Sequence, residues 1–236
     1  MIHLNGWVIA AIIVGVIVLF VAVNVGITGL QALATVNYWQ TQMREPVAPN
    51  AIKLVALGDS SVEGIGASRP LDSYVGRIAT YLGEKTGRPV HISNVATGGA
   101  ITDIVTNQLP KVDLKSADIV IIADDNLNGM SLAQYRTTLE TIASAVPADR
   151  TVISDLPGLP GESRYQPELT EVANEHGILT ADVKASLGRR LDVFSWMPPH
   201  LNSKGYGYWF EAFKPQVDII LGRLSGVGQH TQQAIA

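Results

Sequence analysis

The sequence contains no cysteine, which excludes disulfides, thiolate nucleophiles and cysteine-based metal sites. Charge is also scarce. Asp, Glu, Lys and Arg make up 16% of the residues, and the net charge of −4 is too small and of the wrong sign for a nucleic-acid surface. The five histidines form no His-x-x-x-His or His-x-x-Glu pair, so their spacing gives no support to a metal site, and no cofactor is implied. A Gly-x-Ser-x-Gly nucleophile elbow is missing too, because Val62 occupies its last position around Ser60. No internal repeat is visible. What remains is 236 residues, 47% of them hydrophobic, with room for one ordinary domain and an appendage.

The appendage comes first. From Trp7 to Leu30 there is no charged residue. As a helix rising about 1.5 Å per residue, this run reaches roughly 36 Å, enough to cross a hydrocarbon core of about 30 Å. Trp7 and Tyr38-Trp39 suit interfacial anchors. The small residues Ala32-Leu33-Ala34 resemble a signal-peptide cleavage site, but the length of the run and the lack of a preceding Lys or Arg favour a retained single-pass anchor. Residues 1–30 therefore read as the anchor and 31–51, with its Pro-containing end, as a linker. Arg44 and Lys53, partly offset by Glu45, tilt the positive-inside count toward a cytoplasmic domain. The expected location is nonetheless extracytoplasmic, an orientation that the charge count does not carry.

Beyond the linker, strand-like and helix-like stretches alternate. "IKLVALGD" (52–59), "VHISNVA" (90–96), "ADIVIIAD" (117–124), "TVISDL" (151–156) and "ILTADV" (178–183) read as short buried strands. Helical spacing predicts helices over 73–87, 101–109, 131–146 and within 167–176. A last helix, from about Ser203, places Tyr206, Trp209, Phe210, Phe213, Val217 and Ile220 on one face and is kinked at Pro215. The tail, 223–236, lacks periodicity and reads as disordered. This alternation predicts a three-layer α/β domain over 52–222, with a parallel sheet covered on both faces. Functional groups in such sheets gather beyond the carboxyl ends of the strands. Ser60, Gly98-Gly99, Asp124-Asp125-Asn126 and the 156–164 loop all fall at such ends.

A serine hydroxyl attacks at neutral pH only with a proton acceptor beside it, most often histidine. His3 precedes the apolar segment, His230 lies in the tail, His176 suits a helix C-terminus, and His91 sits within a strand. His200, in the Pro-restrained stretch "WMPPHLNSKGYGYW", remains as the base for Ser60. On composition alone, Ser60 reads equally well as a turn residue and His200 as a loop histidine capping the helix that follows.

Together these pieces resemble the SGNH (GDSL-type) hydrolase family, from about Lys53 to Leu221. "LGDSSVEGIG" is similar to its first block, with Ser60 in the nucleophile's place. "NVATGG" (94–99) matches the second, whose Gly99 N–H would serve the oxyanion together with that of Ser60. "MPPHLNSKGY" is similar to the last, with His200 as the base. The resemblance implies a flavodoxin-like five-stranded sheet and hydrolysis of an ester or thioester through a serine acyl-enzyme. Two positions depart from it. "ADDNL" puts Asp125 where the family carries the oxyanion Asn, with Asn126 one place later, so the loop is shifted by one residue, or Asp125 is protonated, or that donor is absent. Met197 stands where the family carries the Asp that orients the histidine, leaving a backbone carbonyl, with Asp192 or another acidic residue as the weaker candidate.

Three functions follow. The first is a membrane-anchored serine hydrolase of small acyl esters, the second a decayed membrane-tethered binding or scaffold module, and the third an acyl transferase acting on a surface glycan. The 62–70 and 157–164 loops are expected to line the cleft. Trp196 and Trp209 are candidates for an apolar wall near His200, although core packing accounts for them as well.

Overall fold

Five short apolar runs form one parallel sheet in the computed structural model, which describes residues 5–127, 129–159 and 161–233, with side chains to 224. The strands are β1 (Ile52–Gly58), β2 (Val90–Asn94), β3 (Ile119–Ala123), β4 (Thr151–Ser154) and β5 (Leu179–Ala181), in the order β2-β1-β3-β4-β5. Ile52 pairs with Val90, Leu54 with Ile119, Val120 with Thr151 and Val152 with Leu179. This is the flavodoxin-like arrangement. Strands buried on both faces need apolar side chains at every position, which is why they read as continuous runs. Ile52, Leu54 and Ala56 enter one core layer, and Val55 and Leu57 enter the other.

The helices in chain order are α1 (Gly6–Gln42), α2 (Ser60–Glu63), α3 (Tyr74–Thr86), α4 (Ile101–Asp103, running into a π turn at Ile104–Gln108), α5 (Leu132–Ala145), α6 (Gln166–His176), α7 (Val183–Leu187) and α8 (Ser203–Gln233). Their ends follow from local chemistry. The Ser73 hydroxyl accepts the Gly76 N–H to start α3, and Gly87 closes that helix in the left-handed conformation. Ser131 and Gln134 form a capping box at α5. Helices α3 and α8 cover one face of the sheet through a stack in which Tyr74 lies 5.1 Å from Phe213 and 5.3 Å from Trp209. Helices α5 and α6 cover the other.

Several elements differ from the expectation. Phe210 is only half-buried and packs edge-on against Tyr81 instead of joining the α8 stack. The short helix α7 had no clear period. Helix α8 continues to Gln233, across most of the stretch read as tail, and residues 234–236 lie outside those described.

The larger difference concerns α1. It does not end near Leu30 but runs to Gln42, well into the stretch read as linker. Thr28, Thr35 and Trp39 fall on one helical face and are buried, and Trp39 Nε1 donates to the Glu63 carbonyl at 2.8 Å. Burial of that face against the domain supplies the order that composition did not suggest. The helix is long and apolar enough to cross a membrane. Its most apolar 18-residue window has a mean hydropathy of 3.1, and none of that window is buried.

Two residues set where β1 stops. Gly58 has φ 145°, and a Cβ there would lie 1.8 Å from the Ala123 carbonyl oxygen, so only glycine fits. Gln108, fully buried at the end of the π turn, accepts the Gly58 N–H at 2.8 Å and donates to the Gly58 carbonyl at 2.7 Å. Gln108→Ala strands the Gly58 N–H, while the Gly58 carbonyl still accepts the Thr97 N–H at 3.1 Å, and is expected to cost about 1–3 kcal/mol in denaturant unfolding of the detergent-solubilised protein. Trp39→Ala is expected to lower stability by about 3–5 kcal/mol, whereas Leu33→Ala, on the exposed face of α1, changes it by less than about 0.5 kcal/mol. Equal effects of these two would show that α1 does not dock through the Trp39 face.

Candidate active site

Ser60 opens α2 directly after β1, so its side chain emerges at the carboxyl edge of the sheet. Asp59 caps that short helix. It is buried, accepts the Ser61 N–H at 2.8 Å and the Ser61 hydroxyl at 2.7 Å, and takes the Asp125 N–H at 3.0 Å on its other oxygen. One carboxylate thus ties the end of β1 to the loop after β3.

His200 arrives from near the other end of the chain. Its loop is held as a narrow hairpin. The Ser195 N–H donates to the His200 carbonyl, the Asn202 N–H donates to that of Val193, and Phe194 and Leu201 form an antiparallel bridge. The 62–70 segment packs beneath this hairpin. A Cβ on Gly66, at φ 93°, would come within 2.3 Å of the Leu201 carbonyl oxygen. That segment supports the site, whereas Pro157, Gly158 and Leu159 of the other expected loop line the cleft.

Ser60 Oγ lies 3.0 Å from His200 Nε2, and His200 Nδ1 lies 2.7 Å from the Met197 carbonyl oxygen. A carbonyl can only accept, so Nδ1 carries the ring proton and Nε2 is left as the acceptor for the serine hydroxyl. Of the two orienting candidates, the backbone carbonyl occupies the position. Asp192 does not. It is exposed and pairs with Lys204, and no hydrogen bond or ion pair joins it to His200 among the described residues. Of the other histidines, His176 pairs with Glu140 at 2.7 Å, His91 is half-buried on β2, and His3 and the His230 side chain lie outside the described residues.

The four oxyanion candidates separate. The Ser60 N–H makes no hydrogen bond among the described residues and sits in the first turn of α2. The Gly99 N–H is spent on the Thr97 carbonyl at 2.7 Å. Asn126 donates its amide to the Gly99 carbonyl at 3.2 Å and its backbone N–H to Asp124. Asp125, not Asn126, lines the cleft with Ser60 and His200. Burial pushes the Asp125 carboxyl up to about 9, helped by the Asp59 charge and a hydrogen bond to it. Burial and the same Asp59 charge hold Asp124 far above the usual carboxylate range. Glu162, also raised by burial, accepts the Gly158 and Leu159 N–H groups at 2.7 and 2.6 Å and shapes the cleft strip from beneath.

The cleft itself holds about 350 Å³. Leu159, Leu187, Leu191, Val193, Phe194 and Trp209 supply most of its apolar surface, which suits an acyl chain. Trp209 does line it while remaining buried, but Trp196 does not. Trp196 faces outward onto α1. Asp59, Gln108, Glu162 and the 187–194 wall were not singled out from sequence. A buried Gln within "IVTNQL" looks like any surface residue of a short helix.

Residues 56–208 match the family model of the GDSL-like lipase/acylhydrolase family. No curated protein matches the sequence. Among solved structures, TesA superposes with a TM-score of 0.57 at 18% identity, covering 71% of this chain and 99% of that one. A lipase/acylhydrolase from Enterococcus faecalis gives 0.56 at 19% identity, covering 72% and 96%. The psychrotrophic esterase EstA from Pseudoalteromonas sp. gives 0.55 at 16% identity, covering 72% and 99%. At these identities the likeness speaks for the fold. The family model, spanning more than half of the sequence and including both Ser60 and His200, shows that this chain belongs to the GDSL-like lipase/acylhydrolase family.

Proposed function

We propose that the chain is a membrane-anchored hydrolase of acyl esters that works through a Ser60–His200 dyad. The observation that carries this reading is the relay of hydroxyl, imidazole and carbonyl from Ser60 through His200 to Met197, at 3.0 and 2.7 Å. Ser60 Oγ attacks the acyl carbonyl as its proton passes to His200 Nε2. The Ser60 N–H, in the first turn of α2, faces the developing oxyanion. His200 then returns the proton to the leaving alcohol, and water repeats the sequence to release the acid and free Ser60. The Met197 carbonyl fixes the imidazole's tautomer, and its dipole favours the imidazolium less strongly than a carboxylate would.

Asp125 fits this chemistry as a neutral acid. Ionised, it would repel the oxyanion; with its proton held against Asp59, it does not. The seating of Thr28, Thr35 and Trp39 against the domain favours a retained α1, since cleavage after Ala34 would remove part of that contact. The decayed binding module draws on one observation, that among the described residues no carboxylate hydrogen-bonds or pairs with His200.

Labelling of the solubilised protein with a serine-directed fluorophosphonate separates the two readings. Stoichiometric labelling, lost in Ser60→Ala and reduced at least 100-fold in rate in His200→Ala, is the expected result. Absence of labelling together with absence of short-ester turnover would leave the binding module. A pH profile tests Asp125. With a folded-state pKa raised to about 9, its stability contribution is full below the ordinary carboxylate range and is lost by the time pH reaches about 9, and its ionisation beyond that value costs activity. Turnover is expected to fall above pH 9 in the native protein. In Asp125→Asn that alkaline limb disappears, and turnover at pH 10 rises by about tenfold or more. An unchanged limb in the variant would assign it to another group.

A further inference from the structure

The loop that carries His200 also touches α1, at a height along that helix that can be counted. Trp39 is fixed beside the carboxyl end of β1 through its bond to Glu63, and from there the helix runs back past the domain toward Trp7. On the way, the Phe20 ring meets Trp196 edge to face, with centroids 5.5 Å apart. A hydrocarbon core of about 30 Å holds about 20 helical residues, so a span starting at Trp7 ends near Ile27. Phe20 lies seven residues inside that boundary, a depth of about 10 Å at the helical rise of about 1.5 Å per residue. An amphipathic surface element enters a leaflet by about 5–10 Å.

The stretch around Trp196 has the composition of such an element. Leu191 is 86% exposed and Trp196 48%, and Phe194 is also exposed. The charges beside them are arranged for a boundary. Asp192 is neutralised by Lys204, Arg190 lies over the Tyr208 ring and donates to the Ser186 and Leu187 carbonyls, and Arg189 stands at the cleft. The Arg190 guanidinium thus carries its partners with it, which lowers the cost of placing it at an apolar boundary, and the long stem of Arg189 lets its charge reach toward the polar side. Leu191, Val193 and Phe194 are at the same time one wall of the cleft that ends at Ser60 and His200.

We propose that the 191–196 loop enters the leaflet around α1 and that the cleft opens onto that leaflet, so that an acyl ester anchored in the bilayer slides in laterally without crossing water. The inference rests on α1 being a retained span and on the Ser60–His200 hydrolase reading. It goes beyond both by naming the bilayer as the loop's partner and as the side from which substrate comes.

The lack of cysteine makes the test direct, because any introduced cysteine is unique. Full-length Leu191→Cys and Lys85→Cys are labelled with an environment-sensitive nitrobenzoxadiazole dye and reconstituted in phosphatidylcholine–phosphatidylglycerol vesicles carrying shallow doxyl-labelled lipid. Lys85 lies at the end of α3, by the amino ends of the strands. Quenching several-fold stronger at 191 than at 85 is the expected result, and equal quenching overturns the insertion. In the second arm, Trp196→Ser is compared with the native protein on a long-chain ester in vesicles and on a water-soluble acetate ester. A roughly tenfold loss on the vesicle ester, with the soluble ester changed by less than twofold, supports lateral access; parallel changes on the two overturn it. Native protein inactive on both esters would sink the hydrolase reading and lateral access with it, while the quenching arm still decides the insertion.

Discussion

A backbone carbonyl accepts hydrogen bonds and never donates one, and at Met197 that asymmetry sets the state of the whole site. It obliges His200 Nδ1 to hold the proton, which leaves Nε2 bare toward the Ser60 hydroxyl 3.0 Å away. The hairpin from Val193 to Asn202 exists around this contact. Its cross-bonds fix the carbonyl and the ring in one small rigid piece, seated on Gly66 from below. A carboxylate in the same place would add charge. The carbonyl adds only direction, and the loop's own backbone provides it.

Acids cluster behind the opposite side of the site, with Asp125 the one that lines the cleft among the described residues. Asp59, Asp124, Asp125 and Glu162 are clustered beyond the ends of β1, β3 and β4, in surroundings that oppose ionisation of the latter three. Asp59 orders that side by accepting three hydrogen bonds, one of them from the Asp125 backbone. The Asp125 carboxyl then finds a charge beside it and keeps its proton. An acid at a position where the resemblance places an amide suits the proposed anionic intermediate only in its neutral form, which the burial of the loop favours.

Much of this was legible in the residues. The strands were visible because a sheet covered on both faces demands uninterrupted apolar runs, and strand–helix alternation pointed to a parallel sheet, whereas the flavodoxin-like order came only with the family resemblance. Ser60 and His200 could be paired because the other four histidines had ordinary explanations. Long-range contacts that leave no local period were not legible. Gln108 clamps Gly58 across fifty residues, and the Trp39 indole reaches Glu63 from a segment whose composition resembles a linker. The oxyanion side was ambiguous for a related reason. Whether Asp125 or Asn126 faces the cleft depends on the bond from the Asp125 N–H to Asp59, and register in a loop has no signature in composition.

The seating of α1 has a mechanical consequence. A domain joined to its helix by a flexible leash of n residues wanders over roughly 5–6 Å times the square root of n. Here the buried face of Thr28, Thr35 and Trp39 seats the helix side-on against the domain, so the short connector over 43–51 does not act as a free leash. Ser60 and His200 are therefore carried at one height and one heading relative to the helix axis, and under the proposed hydrolase reading that fixes the level at which a scissile bond must present itself.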